Sequence, residues 1–176
     1  MAHVIRIVRW EELSPSQKID VENLKISDQQ IEYAGPTRRA VEACISDLTG
    51  DIQGAAIFDG EVIVGFLVLK RRSAAPSWAS TGAAVISALR VDLRVQGLGI
   101  GTAALQRLPE WLLTHWADTA SIMLSVDEEN ETGRHEFARI RKEEAAHPIE
   151  TVGAGLRSAM PFLDPVKVVD GAVVKA

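Results

Sequence analysis

Apolar and charged residues alternate in "HVIRIVRW" near the start of the chain, and a period of two predicts a first strand. "SPSQ" at 14–17 then offers a helix start. Ser14 is placed as N-cap, Pro15 in the first turn and Gln17 at the capping-box position, with the helix running to about Ile26. "SDQQIEYAGP" reads as a loop or short helix ended by Gly35 and Pro36. Thr37 is expected to cap a second helix through Leu48, closed by Gly50. On that helix Val41, Cys44, Ile45 and Leu48 share one face. In "IQGAAIFDGEVIVGFLVLKRR" two β-rich runs flank Asp59-Gly60, which makes this the clearest hairpin. The basic triplet at 70–72 reads as its solvated end. "SAAPSWAST" is a loop, and "GAAVISALRV" is apolar enough to predict a central strand buried on both faces.

Farther along, Leu105, Leu108, Leu112, Leu113 and Trp116 recur at helical spacing, and Pro109 inside the run predicts a kink or a restart. "ASIMLSV" predicts another buried strand. The charged segment "DEENETGRHEFARIRKEEAA" is helical in character, with Gly133 as a weak point. The last stretch carries β-type runs and a second Asp-Gly turn at 170–171. The order β, α, α, β, β, β, α, β, α, β predicts an α/β (α+β) domain, a central mixed and mostly antiparallel sheet with helices on both faces. With no repeat and no linker, residues 1–176 are expected to form one domain, and 155–176 a C-terminal strand or dimerisation extension.

Composition narrows the function classes. The chain has 176 residues, of which 47% are hydrophobic and 24% charged, as in an ordinary globular domain. A formal net charge of -5 argues against nucleic acid as a partner. One cysteine, Cys44, rules out an intrachain disulfide, points to a cytoplasmic home and reads as a packed core thiol. The first residues lack a signal-peptide apolar region, and no run is apolar for long enough to span a bilayer, so no membrane role is expected. His3, His115, His135 and His147 show no metal-ligand spacing, so no metal is expected.

The most informative stretch is "VDLRVQGLGIGTAAL" at 91–105, with glycines at 97, 99 and 101. A dinucleotide-binding turn needs G-x-G-x-x-G after an early strand, and a P-loop needs a lysine; the spacing fits neither. Glycines that merely permit a tight strand-to-helix turn remain an alternative. "QGLGIG" instead matches Q/R-x-x-G-x-G/A, with "LRV" a few residues before it, and resembles the acyl-CoA-binding motif of the GNAT acetyltransferase superfamily. The physics is consistent: N–H groups at the start of a helix hold a pyrophosphate at the positive end of its dipole, and glycines let phosphates approach. The resemblance covers roughly residues 4–137, including the hairpin and the later strand "SIMLSV".

The resemblance implies specific roles. The backbone of Leu89, Arg90 and Val91 would bond the pantetheine arm of acetyl-CoA like an added strand, and one of those N–H groups would hold the oxyanion. Gln96, Gly97, Leu98, Gly99, Ile100, Gly101 and Thr102 would surround the pyrophosphate. Asn130 matches the family's pantetheine-contacting asparagine, or caps a helix. Seven residues on, where the family commonly has the tyrosine that protonates the thiolate, this chain has Phe137, and the "LGF" that follows in the family is absent. Tyr33, the only tyrosine, and Glu32 lie between the first two helices, on the acceptor side of such a fold, and are candidates for acceptor binding or proton transfer. Packing for Tyr33 and solvation for Glu32 are the plainer readings. His135 as acid or base, Ser125 as donor to the thiolate, and Glu128 and Glu129 as attractors of a cationic amine complete the candidates.

The expected activity is therefore N-acetyl transfer from acetyl-CoA to a primary amine, by direct attack on the thioester. Net charge points to a small cationic acceptor. Two other readings stay open: an acyl-CoA-binding protein without turnover, acting as sensor or degenerate subunit, and an interaction module whose glycines are structural. The β-rich tail suggests a homodimer.

Overall fold

Among the described residues five strands form one sheet whose spatial order is the chain order. They are β1 (Ile5–Arg9), β2 (Ile52–Asp59), β3 (Val62–Lys70), β4 (Ala83–Val91) and β5 (Ser121–Leu124). The first three pairings are antiparallel, and β4 pairs with β5 in parallel from Ala83↔Ser121 to Ile86↔Leu124. The helices are α1 (Pro15–Glu22), α2 (Asp28–Ala34), α3 (Thr37–Ser46) and α4 (Ile100–His115). The computed structural model describes residues 3–124. The predicted mixed, mostly antiparallel sheet with helices on both faces is therefore observed.

One face of the sheet packs Ile57, Leu67, Leu69 and Ile86 against Ile100, Leu108 and Leu112 of α4. The other packs Phe58, Phe66 and Val68 against Val21 of α1 and Val41 of α3, with Trp10 and Leu13 closing the edge. Two β-bulges shift the alternation between these faces. On β3 the register skips Val64 between Ile57↔Gly65 and Phe58↔Ile63, and on β4 it skips Ser87 between Val68↔Ala88 and Leu69↔Ile86. An extra residue reverses which side chains point to which face. Thus Ala84 and Ile86 face α4 before the bulge on β4, whereas Leu89 and Val91 face it afterwards. Gly65 is required by close approach: a Cβ there would meet the Arg90 carbonyl oxygen at 2.5 Å.

Several local expectations need correction. The first helix stops at Glu22, short of Ile26, because the Lys25 N–H donates to the Asp92 carboxylate rather than back into a helix. Its start is as expected: Ser14 and Gln17 form a reciprocal capping box. α3 begins after Pro36, so Thr37 is its first residue rather than its cap, and it ends at Ser46. The Asp47 carboxylate accepts from the N–H groups of Thr49 and Ile52 beyond that end. The buried stripe of α3 is Thr37, Ala40, Val41 and Cys44, a regular i, i+3, i+4, i+7 series, which leaves Ile45 and Leu48 60% and 97% exposed. Helix α4 is not restarted at Pro109. In the hairpin Asp59 pairs with Val62, so Gly60 and Glu61 form the turn, with Gly60 at φ +60°. Nor is the basic triplet wholly solvated: Arg71 tucks over the Trp116 ring and pairs with Asp51 and Asp118.

Candidate functional site

β4 leads into the glycines through a turn held by one carboxylate. Asp92 is buried and accepts from the N–H of Lys25, at 3.1 Å, and from the N–H and guanidinium of Arg94, at 2.7–2.9 Å. The Arg94 hydrogen bond, with the backbone donors, holds its pKa down at about 2 against desolvation. The Asp92 N–H donates to the Val64 carbonyl and the Leu93 N–H to that of Lys25, so the segment after α1 and the start of β3 clamp the turn from two sides. Gln96 Nε2 donates back to the Val91 carbonyl, at 2.9 Å, and across to Gln30 Oε1 of α2, at 2.7 Å.

Beyond Gln96 the backbone turns left-handed at Gly97, φ +75°, and at Gly99, φ +81°. Side chains other than glycine strain in that region. Among the described residues nothing lies within 4 Å of where a Cβ would stand at either position, so it is the backbone conformation that demands glycine there. Gly99 is the N-cap of α4 and, having no side chain, gives that helix no side-chain cap bond. The N–H groups at the start of a helix have no partner inside it. A 16-residue helix therefore presents its positive end, at Ile100 and Gly101, beside open glycine backbone. Leu98 stands out from the loop, 56% exposed.

The predicted residues of this loop and of the end of β4 thus come together, joined by the Gln96–Val91 bond. Arg90, expected to contribute backbone, does more. Its side chain points to the face opposite Leu89 and Val91 and is 1% exposed. Nε donates to the Gly35 carbonyl at 3.1 Å, and Nη2 donates to the carbonyls of Gly35 and Ala34. The guanidinium so takes up carbonyls at the C-terminal end of α2, where the helix dipole favours a cation. Burial lowers its pKa to about 10, which leaves it charged at neutral pH.

α2 is held by these Arg90 bonds at one end and by the Gln30–Gln96 bond near the other. Glu32 and Tyr33 lie on it, so they belong to a helix rather than to a loop; Glu32 is exposed and Tyr33 half-buried. Beside α2, an open cavity of about 500 Å³ is lined by residues of α3, β3 and β4. Small side chains, Ala40, Ala43 and Ala88, share its lining with the cations Arg39, Lys70 and Arg90. Ser87, the bulged residue, opens into it.

Cys44 is buried against this face, and burial pushes its thiol up to about 12, so it is a packed thiol and no nucleophile at neutral pH. Among the described residues no group of three or more His, Cys, Asp or Glu is placed to hold a metal, and no helix is long and apolar enough to cross a membrane. Ser125, Glu128, Glu129, Asn130, His135, Phe137 and the 155–176 extension lie outside the described residues. The sequence reading missed the Arg90 side chain, the Asp92 clamp and the cations of the cavity. An arginine inside an otherwise apolar strand, and "DLR" at its exit, were the available signals.

A model of the acetyltransferase (GNAT) family matches residues 19–141. Solved structures share the fold at low identity. An aminoglycoside acetyltransferase from an uncultured soil metagenomic sample, in complex with sisomicin, is 17% identical with a TM-score of 0.54; the match covers 87% of this chain and 97% of that one. A ribosomal-protein-alanine N-acetyltransferase from Brucella melitensis biovar Abortus 2308 is 16% identical with a TM-score of 0.53, over 89% and 97%. AAC(6')-Iy, in complex with the bisubstrate analog CoA-S-monomethyl-acetylneamine, is 11% identical with a TM-score of 0.53, over 88% and 99%.

Proposed function

The chain belongs to the acetyltransferase (GNAT) family, and from that premise we propose that it moves an acetyl group from acetyl-CoA to the primary amine of a small acceptor. The observation that carries this reading is the entrance to α4. Two left-handed glycines, with open space over them among the described residues, lead into a helix whose N-cap, Gly99, has no side chain. That arrangement suits a pyrophosphate, which needs backbone donors, a favourable dipole and no intervening Cβ.

The backbone from Gln96 to Thr102 would hold the diphosphate, and the backbone of Leu89 to Val91 the pantetheine arm and thioester carbonyl. The thioester supplies the activated acetyl group. The remaining work falls to this chain. An alkyl amine with a pKa near 10 is mostly protonated at neutral pH, so a group must take its proton. Glu32 and Tyr33 are the candidates on α2, which the Gln96 and Arg90 bonds hold beside β4. Tyr33 would protonate the departing thiolate in place of the missing tyrosine at Phe137, with Ser125 and His135 as further candidates from beyond the described residues.

Calorimetric titration with acetyl-CoA, against free CoA, tests the cradle, and thiol release with a panel of amines tests transfer. One-site saturable binding and amine-dependent thiol release are expected. No binding at millimolar acetyl-CoA would overturn the reading. Binding without release for any amine would leave a non-turnover acyl-CoA-binding protein.

A further inference from the structure

We infer that the acceptor carries an anionic group, a carboxylate or a phosphate, seated in the cavity between α3 and β3–β4 against Arg90, Lys70 and Arg39. The inference rests on the acetyltransferase reading and narrows its substrate class.

Arg90 carries the argument. The residue is 1% exposed, yet among the described residues its only hydrogen-bond acceptors are the neutral carbonyls of Ala34 and Gly35. Nη1 has no partner there. Among the described residues the Cys44 thiol is its titratable neighbour, and burial keeps that thiol neutral. A buried charge without a counter-charge is expensive, and one kept in a fold calls for an anion. Arg39 and Lys70 line the same space, and among the described lining residues there is no carboxylate.

Place and size agree. Arg90 lies between Leu89 and Val91, the backbone proposed to face the thioester, so an acceptor gripped by its anion would have its amine close to that strand. The floor of Ala40, Ala43 and Ala88 leaves room for a small molecule in about 500 Å³. An amine and an anion a few bonds apart is the chemistry of an amino acid or a phosphorylated amine. Whole-chain net charge had pointed to a cationic acceptor, but the -5 is a sum over the chain, and the cavity's own lining has the opposite sign.

The test measures binding of acetylated products to the CoA-saturated protein by ligand-observed NMR. The probes are N-acetyl amino acids, their carboxamides, and N-acetyl-phosphoethanolamine beside N-acetyl-ethanolamine. The charged member of each pair is expected to bind and the neutral one not, and the better pair identifies carboxylate or phosphate. Lys70→Gln and Arg39→Gln should each weaken the charged ligand about tenfold, the size of one lost charge-assisted hydrogen bond, with CoA affinity unchanged. Arg90→Lys should weaken it further by giving up the fork; should that variant fail to fold, the Lys70 and Arg39 variants still decide. Equal binding of acids and amides, or no binding of either anion while CoA binds, overturns the inference. Failure of the acetyltransferase reading is seen separately, as absence of CoA binding or of thiol release with every amine.

Discussion

The two sides of the last half of β4 solve opposite problems. Toward α4, Leu89 and Val91 join an apolar layer in which Ile100, Leu108 and Leu112 are almost wholly buried, and the surface proposed to bind acetyl-CoA is backbone. Toward α2 and α3, the same strand buries a guanidinium against a seven-residue helix that itself buries no residue. One side is fixed by hydrophobic packing that any apolar filling of similar volume would approximate. The other depends on a few directed polar bonds, where each donor counts. A cofactor with a constant chemical form suits the first, and a pocket that sets specificity suits the second.

Removing packing from the α4 side should break the comparison most severely. Leu108→Ala, at a fully buried position, is expected to cost about 2–5 kcal/mol in urea unfolding. A cost under about 1 kcal/mol would mean that α4 is not anchored as described. Gly99→Val comes next. It forces a β-branched residue to φ +81° at about 1–2 kcal/mol, and its branched side chain would stand in the open space proposed for phosphate. Calorimetry should show acetyl-CoA affinity reduced by more than about tenfold, a loss above about 1.4 kcal/mol. Unchanged affinity would place the diphosphate elsewhere.

On the α2 side the effects should be smaller and local. Ser27 accepts from the Gln30 N–H in a capping box, and Gln30 in turn accepts from Gln96. Ser27→Ala is expected to cost about 1 kcal/mol, seen as faster hydrogen exchange in α2 with acetyl-CoA affinity retained. A global loss of stability with no local opening would merge the two sides into one cooperative unit. The smallest effect concerns pH. The Asp92 carboxylate is depressed in the folded state, so its contribution is present above its ordinary value of 3.8 and is lost as pH falls toward about 2. Between those limits wild-type stability should fall more steeply than that of Asp92→Asn, and an identical slope would show that the clamp adds nothing.

The contrast also explains what the amino-acid order revealed. The α4 side was legible because its signals are local: a buried strand, glycines at set spacing and an apolar helical stripe all lie within about thirty residues. The hairpin and the caps at Ser14 were legible for the same reason. The α2 side was not. The bulge at Ser87 that turns Arg90 toward α2 leaves no mark in periodicity, since "VISALRV" alternates no more cleanly with a bulge than without one. The partners of Arg90 are carbonyls more than fifty residues away, and carbonyls have no identity in a sequence. The face of α3 was misjudged by one step because Ile45 and Leu48 are apolar yet exposed, while the small Ala40 and Thr37 are buried.

That strand order equals chain order has a consequence for how the molecule is made. Each strand from β2 to β4 lies beside one already synthesised, so the sheet can grow edge by edge as the chain emerges. The parallel step from β4 to β5 breaks that regime, because it must wait for a turn and the whole of α4. Until then both the α4 face of the sheet and the outer edge of β4 stand uncovered. The part of the molecule proposed to receive acetyl-CoA is therefore also the last part of the described fold to close during synthesis.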